Sequence, residues 1–246
     1  MPKRPPADLP PHDFATTHWS IVLAAGDVHH HNSRAALSQL CEIYWLPLYA
    51  YARRRVSDVD EAGDLTQAFF VELLENKFVD AADVERGRFR AFLVTAFKHF
   101  LSKQWERRRA QKRGGGRTVL SLDFETAESS LQFEPTSQLT AEQLFDQQWA
   151  VTLLNHVMER LQAEFAKRKK QKMFVVLRDF IAGDHPGLTY AMAAAQLGMT
   201  EVATKKAASR MRQRYRELLR AEIARTVNGP EQVEDEIRNL FAVLSL

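Results

Sequence analysis

The chain has 246 residues, of which 45% are hydrophobic and 26% are charged, an ordinary composition for one large globular domain or two small ones. A single cysteine, Cys41, excludes both an intrachain disulfide and a cysteine-rich metal site. No apolar run approaches the roughly 20 residues of a membrane span, and the start lacks the apolar region of a signal peptide. We therefore expect a cytoplasmic protein.

The positive charge is concentrated in two blocks, although the net charge is only +3. Eleven lysines and arginines lie between Arg86 and Arg117 against one acid, and eight lie between Glu201 and Arg225 against three acids. Two separated basic helices in a nearly neutral chain favour two contacts with one polyanion. For either block alone, a solvated helix face is an equally good interpretation.

The N-terminal part begins with a segment that predicts no structure. Residues 1–13 carry five prolines and are expected to form a disordered tail. A short helix through Trp19 should end at Gly26, and a polar loop with three adjacent histidines, 29–31, follows it. A metal site at these histidines has no other ligand cluster to support it, so we interpret them as loop.

The next two helices are indicated by apolar residues at helical spacing. The first runs from Leu37 to Tyr51, where Pro47 either bends it or begins a second segment. The second starts at Asp58 with capping-box spacing to Glu61. Its apolar residues cover about half of the helical circumference, which predicts either deep burial or a second docking surface. They are Leu65, Phe69, Phe70, Leu73 and Leu74.

The longest helical pattern covers about residues 85–112, with an inward apolar stripe that includes Phe89 and Phe100 and an outward basic face. Glycines 114–116 end it. Residues 114–138 are rich in Gly, Ser, Thr and acids and predict a linker. The predicted organisation is therefore a domain at 14–113, the linker, a domain at 139–228 and an extension at 229–246. We find no strand, so the fold class is all-α: two small helical domains with a flexible linker.

The second domain ends in a predicted helix-turn-helix. Thr189 caps a short alanine-rich helix, Gly198 supplies a left-handed turn residue, and Thr200 caps a following basic helix. A recognition helix reads bases near its N-terminus and contacts phosphates around it. The predicted DNA-binding residues are Thr200, Glu201, Thr204, Lys205, Lys206, Ser209, Arg210, Arg212 and Arg214.

Two parts of the chain resemble the two domains of a known family. Asp64-Leu65-Thr66-Gln67-Ala68-Phe69-Phe70 and Arg86-Gly87-Arg88-Phe89-Arg90 are similar to the promoter-melting domain of sigma-70-type factors of the extracytoplasmic-function (ECF) group. Ala194-Ala195-Gln196-Leu197-Gly198-Met199-Thr200 resembles that group's second DNA-binding domain. The resemblance runs from about Ser38 to Val227. The segments 14–20 and 110–116 also resemble a subgroup that is common in planctomycete-type bacteria.

The resemblance implies a transcription-initiation factor that works with core RNA polymerase and promoter DNA. The Asp-Leu-x-Gln helix would dock on the β′ clamp helices through Asp64, Leu65, Gln67, Phe69 and Leu73, and the β flap is a second expected contact. The first basic helix would engage the −10 element and help to open it, and the helix-turn-helix would read the −35 element. The −10 candidates are Lys98, His99, Ser102, Lys103, Arg107 and Arg108. Many members have Asn at the position of His99, so details of a base pocket do not transfer.

No catalytic, cofactor or metal motif is present, and the glycines at 114–116 lack the flanking elements of a phosphate loop. The alternative function is a stand-alone helix-turn-helix repressor or activator, and a nucleic-acid-processing enzyme is a remote third class. The extension from Glu231 has apolar residues at helical spacing, so it either packs on the second domain or serves as a docking site for a regulator. An anti-sigma or other regulatory protein is therefore a further partner to consider.

Overall fold

A computed structural model describes residues 33–74, 88–110, 139–182, 187–227 and 229–245. The regular secondary structure in these ranges consists of helices, which confirms the predicted all-α class. The predicted tail at 1–13, the helix through Trp19, the histidines at 29–31 and the linker at 114–138 lie outside the described residues.

Eight α-helices make up the described part of the chain. The first three are α1 (Ser33–Arg55), α2 (Val59–Leu74) and α3 (Phe89–Ala110). The remaining five are α4 (Ala141–Lys167), α5 (Gln171–Leu177), α6 (Tyr190–Leu197), α7 (Glu201–Ala224) and α8 (Val233–Val243). Short 3₁₀ turns follow α5 at Arg178–Phe180 and precede α8 at Pro230–Gln232.

Side-chain caps mark four helix starts, and the sequence predicts three of them, at Asp58, Thr189 and Thr200. Asp58, Thr140, Thr189 and Thr200 each accept a hydrogen bond from the backbone N–H three residues further on, at 2.7–3.2 Å. Each cap satisfies one of the N–H groups that a helix N-terminus leaves without an intrahelical partner. At Thr140 the cap is reciprocal, because the Gln143 side chain accepts from the Thr140 N–H at 2.9 Å. The predicted caps are therefore confirmed.

The most extensive helix–helix interface lies between α1 and α4. Helix α1 continues through the buried Pro47 as one element, rather than as two segments. Tyr44 and Leu48 from α1 and Trp149 and Leu153 from α4 are all fully buried in one hydrophobic core. This core is shared between the two segments that the sequence separates by a linker, so they pack directly against each other.

The wide apolar face of α2 is buried inside the chain. Phe69 packs with Phe97 and Phe100 of α3 at ring-centroid distances of 4.9 and 5.6 Å. Leu65 and Leu73 lie in the same core with at most 3% of their surface exposed. Burial within the chain therefore accounts for the width of this face, so Leu65, Phe69 and Leu73 do not present side chains to a partner in this conformation.

A cluster of buried charges joins α3, α4 and α8. Arg90, which belongs to the first basic block, is almost completely buried and donates from Nε to Glu236 at 2.6 Å. It also pairs with Asp146, and its guanidinium lies 4.9 Å from the Trp149 ring centroid. Arg88 pairs with the same glutamate at 2.7 Å. Glu236 thus ties the extension helix α8 to Arg88 and Arg90, and Arg90 in turn contacts α4 through Asp146 and Trp149.

Replacing Glu236 should destabilise the fold. Glu236→Ala leaves the buried Arg90 without its fully buried carboxylate partner, and breaking a buried ion pair typically costs about 3 kcal/mol or more. Urea unfolding followed by circular dichroism measures the change. Asp235→Ala is the matched control, because this neighbouring carboxylate is exposed and, among the residues that the structure describes, pairs only with Arg238. Equal unfolding midpoints for the two variants would contradict the structural role of Glu236.

Candidate nucleic-acid interface

The outer face of α3 carries a run of exposed polar and basic side chains. Lys98, His99, Ser102 and Lys103 are all exposed and recur on successive turns, while Phe97 faces the core. Residues four apart on a helix share one face. The structure therefore brings these four −10 candidates together on one surface, with no backbone rearrangement needed.

Two further −10 candidates lie differently. Arg107 is exposed but points toward α2, where its guanidinium is 3.8 Å from the Glu72 carboxylate. The side chain of Arg108 lies outside the described part of the structure. Sequence reasoning overlooked Thr95, which is exposed on the same face one turn before His99. Its position at i−4 from His99 is the signal that would have identified it.

Lys98 is engaged by a carboxylate from the start of α4. Its Nζ lies 2.5 Å from Oε1 of Glu142, and the same oxygen accepts from the Tyr51 hydroxyl at 3.4 Å and faces Arg55 at 3.6 Å. The hydrogen bond with Lys98 lowers the pKa of Glu142 below its ordinary value, and the same hydrogen bond raises the pKa of Lys98. A negative group thus occupies one end of the basic face.

The second basic surface is built on α6, a tight turn and α7. Gly198 ends α6 in the left-handed conformation with φ of 65°, a region that side chains with a Cβ rarely adopt. The Met199 N–H then donates to Ala194 O at 3.0 Å, which closes the turn before Thr200 caps α7. Stacking of Tyr190 on Phe180, with centroids 4.4 Å apart, fixes the start of α6. The turn therefore sets the direction in which α7 leaves the domain.

The first turns of α7 expose a mixed surface. Glu201, Lys205, Lys206, Ser209 and Arg210 are all exposed. Lys205 pairs with Glu201 at 2.7 Å and its Nζ lies 5.7 Å from the centroid of the Tyr190 ring. In the described part of the chain, neither Lys206 nor Arg210 forms an ion pair with an acid. These two cations are therefore the most available for a phosphate.

Other predicted DNA-binding residues serve the fold in this conformation. Thr204 is fully buried and its hydroxyl donates to Thr200 O at 3.0 Å, while the Thr200 hydroxyl oxygen is the helix cap. Arg212 donates to the Tyr190 hydroxyl at 3.3 Å. Arg214 forms a bidentate pair with Glu164 at 2.6 and 2.9 Å, and this pair lowers the pKa of Glu164. All four side chains are thus engaged by contacts within the protein, although Arg214 lines the same groove as Lys206.

Sequence reasoning also missed two exposed residues on α7, Val202 and Gln213. Positions 202, 206, 209 and 213 follow the helical period and lie opposite the buried Thr204, Ala208 and Met211. The helical period of α7, applied from Thr200 onward, would have identified this face. A valine at the start of this face gives no signal by residue type, because DNA contacts are predicted from charged and polar side chains.

A groove of about 470 Å³ separates the end of α4 and the start of α5 from α7. Its apolar lining is formed by phenylalanine, methionine and alanine side chains, and its charged lining is entirely basic. The apolar residues are Phe165, Met173, Met199, Ala203, Ala207 and Met211, and the cations are Arg168, Lys170, Lys206, Arg210 and Arg214. The groove is thus suited to an apolar segment that carries negative charge.

Within the described ranges, no group of three or more histidine, cysteine or acidic side chains is arranged to hold a metal ion. In the same ranges, none of the helices combines the length and apolar character needed to cross a bilayer.

Two exposed basic surfaces on a helical scaffold define the class of a nucleic-acid-binding protein. Residues 28–221 match the model of the ECF sigma factor family, and the chain therefore belongs to that family. No curated protein and no solved structure matches the chain. As a member of the family, the chain is a sigma factor that directs promoter-specific transcription, with core RNA polymerase and promoter DNA as its partners. The planctomycete-type subgroup stays a prediction.

The contact between Lys98 and Glu142 can be tested by titration. Lys98→Met should raise the pKa of Glu142 toward its ordinary value, because the variant loses the hydrogen-bond donor that favours the carboxylate. Arg55 remains nearby, so the return should be partial. Carboxyl ¹³C NMR measures it, with Lys103→Met as a control on the same face.

The same pair has a defined pH dependence. Because the pKa of Glu142 is lowered in the fold, the pair stabilises the protein above the unfolded-state pKa of about 4.3. That stabilisation is lost as the pH falls through the lowered pKa. A Glu142 titration that is identical in the wild type and in Lys98→Met would show that the contact does not form in solution.

Proposed function

We propose that the two basic surfaces read separate parts of one promoter: the outer face of α3 contacts the −10 element and the first turns of α7 contact the −35 element. The observation that carries this assignment is the exposure of both surfaces on different helices of a sigma factor. Residues 14–113 then form the polymerase-docking and melting unit, and residues 139–228 form the −35-reading unit. The protein itself performs no chemistry, which the polymerase supplies, and it works in the cytoplasm.

The α3 face has the composition that single-stranded DNA needs. Lys98 and Lys103 supply charge for phosphates, and His99 and Ser102 between them supply a ring and a hydroxyl for an unstacked base. In the free protein Lys98 forms an ion pair with Glu142, so a phosphate has to displace that carboxylate. The −10 contact is therefore an exchange of one anion for another at this lysine.

The α7 face suits duplex DNA. The N-terminal turns of a recognition helix enter the major groove, and flanking cations hold phosphates. Lys206, Ser209 and Arg210 are exposed there, and Lys205 becomes available when its contact with Glu201 opens. Thr204 and Arg214 support the position of α7 from behind, through their contacts with Thr200 and Glu164.

The polymerase contact falls on the solvent face of α2. Asp60 and Asp64 are exposed, and Gln67 and Val71 are half-buried on the same side, opposite the buried Phe69. This face combines two acids with the half-buried Val71, so it complements a basic surface with an apolar centre. We assign the β′ clamp helices to this face, and the β flap stays a second expected contact.

Removal of the two available cations on α7 is the central test. With core polymerase, Lys206→Ala/Arg210→Ala should bind a promoter about tenfold more weakly, and the log–log salt slope should fall by about one for each phosphate that the variant no longer binds. Binding to core polymerase should not change. Fluorescence anisotropy of a promoter fragment measures both quantities, and promoter-specific transcripts confirm the weaker binding.

The control for this double variant lies on the same helix. Arg220→Ala removes an exposed cation ten residues further along α7, where it pairs with Glu234 of α8. It should bind the promoter like the wild type. If the wild-type protein binds duplex DNA tightly without polymerase and ignores core polymerase, the stand-alone repressor or activator is the better description.

The docking face can be tested without damage to the core. Asp64→Lys reverses an exposed charge and should weaken binding to core polymerase by about tenfold, with thermal stability unchanged. Leu65→Asp does not test docking, because it places a charge in the core and unfolds the chain. Surface plasmon resonance on immobilised core polymerase gives the affinity. Asp235→Lys, an exposed acid on α8, is the matched control, and equal affinities for the two variants would remove the docking site from α2.

A further inference from the structure

The exposed row of α7 begins with an apolar side chain. Val202 is 64% exposed, the largest exposure among the large apolar side chains of the described residues. It is the second residue of α7, directly after the capped N-terminus at Thr200. A recognition helix places its first residues deepest in the major groove. Val202 therefore occupies a position from which base edges are read.

The side chains around Val202 leave it accessible to a partner. Glu201 and Lys205, on one flank, are held together at 2.7 Å, and Lys205 also lies over the Tyr190 ring. On the opposite side of the helix, Thr204 is buried against the domain. Lys206 and Ser209 continue the exposed row from Val202 along the helix. The row thus begins with an isopropyl group and continues with a cation and a hydroxyl.

An isopropyl group selects strongly among the groups in the major groove. It has no hydrogen-bond donor or acceptor. When it is placed against an amino, carbonyl or ring-nitrogen group of a base, it displaces the water bound to that group and offers no hydrogen bond in return. The C5-methyl of thymine is the apolar group that a base edge presents in this groove. Contact with that methyl buries apolar surface on both sides and leaves no polar group unsatisfied.

We propose that Val202 is a specificity-determining residue that contacts the C5-methyl of a thymine in the −35 element. This inference rests on the proposed function of α7 and adds to it the chemical group that is read. Lys206, one turn further on, holds a phosphate and fixes the register in which the valine meets the base.

The test removes one methyl group from the DNA. A promoter selected by the holoenzyme from a random library is resynthesised with each thymine of its −35 element replaced in turn by deoxyuridine, which lacks only the C5-methyl. For wild-type holoenzyme, one such replacement should weaken binding about three- to fivefold, the value of one buried methyl group. For Val202→Ala holoenzyme, thymine and uracil at that position should bind within error of each other, and the other positions should behave as in the wild type.

The control is a second exposed valine. Val175 is 55% exposed on α5, so Val175→Ala makes the same change at a site outside the α7 face and should keep the thymine preference. Retention of the preference by Val202→Ala, or the absence of a deoxyuridine effect at every −35 position in the wild type, overturns the proposal. A scrambled −35 element distinguishes failure of the α7 assignment from failure of the Val202 contact alone. If scrambling leaves binding unchanged, the assignment of α7 to the −35 element is wrong, and the valine contact is wrong with it.

Discussion

The packing of α1 along α4 is the constraint on which the rest of the structure depends. Helix α2 packs on α1, and α3 contacts both α1 and α2. Helices α5, α7 and α8 pack on α4. Large rings fill this core: Tyr44 from α1 packs against Phe89 of α3 at a centroid distance of 5.3 Å, and Trp149 from α4 is fully buried. Separation of α1 from α4 would expose the apolar faces of both helices at once. The two basic surfaces are therefore held by one core.

Charge in this chain has two separate uses, and burial distinguishes them. Arg90 lies inside the structure, where it contacts Glu236, and Arg160 pairs with the fully buried Glu222. These pairs connect helices that are distant in sequence. Lys103 and Lys206 lie on the surface and contribute to the field around the protein. A count of lysines and arginines merges these two groups, so the basic blocks overstate the charge that DNA meets.

The sequence predicted the helices and their caps because those signals are local. A threonine at the N-cap and a glycine at the C-cap act within four residues, as Thr200 and Gly198 show. What covers an apolar face is not local. The pattern around Leu65 and Phe69 is the same for a core helix and for a docking helix, and only the position of Phe97 and Phe100 decides between them.

The candidate sites were predictable to the level of the helix and, in part, to the level of the face. Lys98, His99, Ser102 and Lys103 are found together because they follow one helical period. Thr204 was included because it is polar and close to the cap, although its position on the wheel places it inside. Val202 was omitted because composition gives no reason to select an exposed valine. Thr204 and Val202 were both misjudged because residue type was given more weight than the side of the helix on which the residue lies.

Helix α4 also fixes a distance. Lys98 touches its start at Glu142 and Arg214 touches its end at Glu164, and 22 residues of helix span about 33 Å. The eight residues of α7 from Arg214 to Lys206 span about 12 Å more. Because α4 is one continuous helix, its length sets how far apart the α3 face and the first turns of α7 lie.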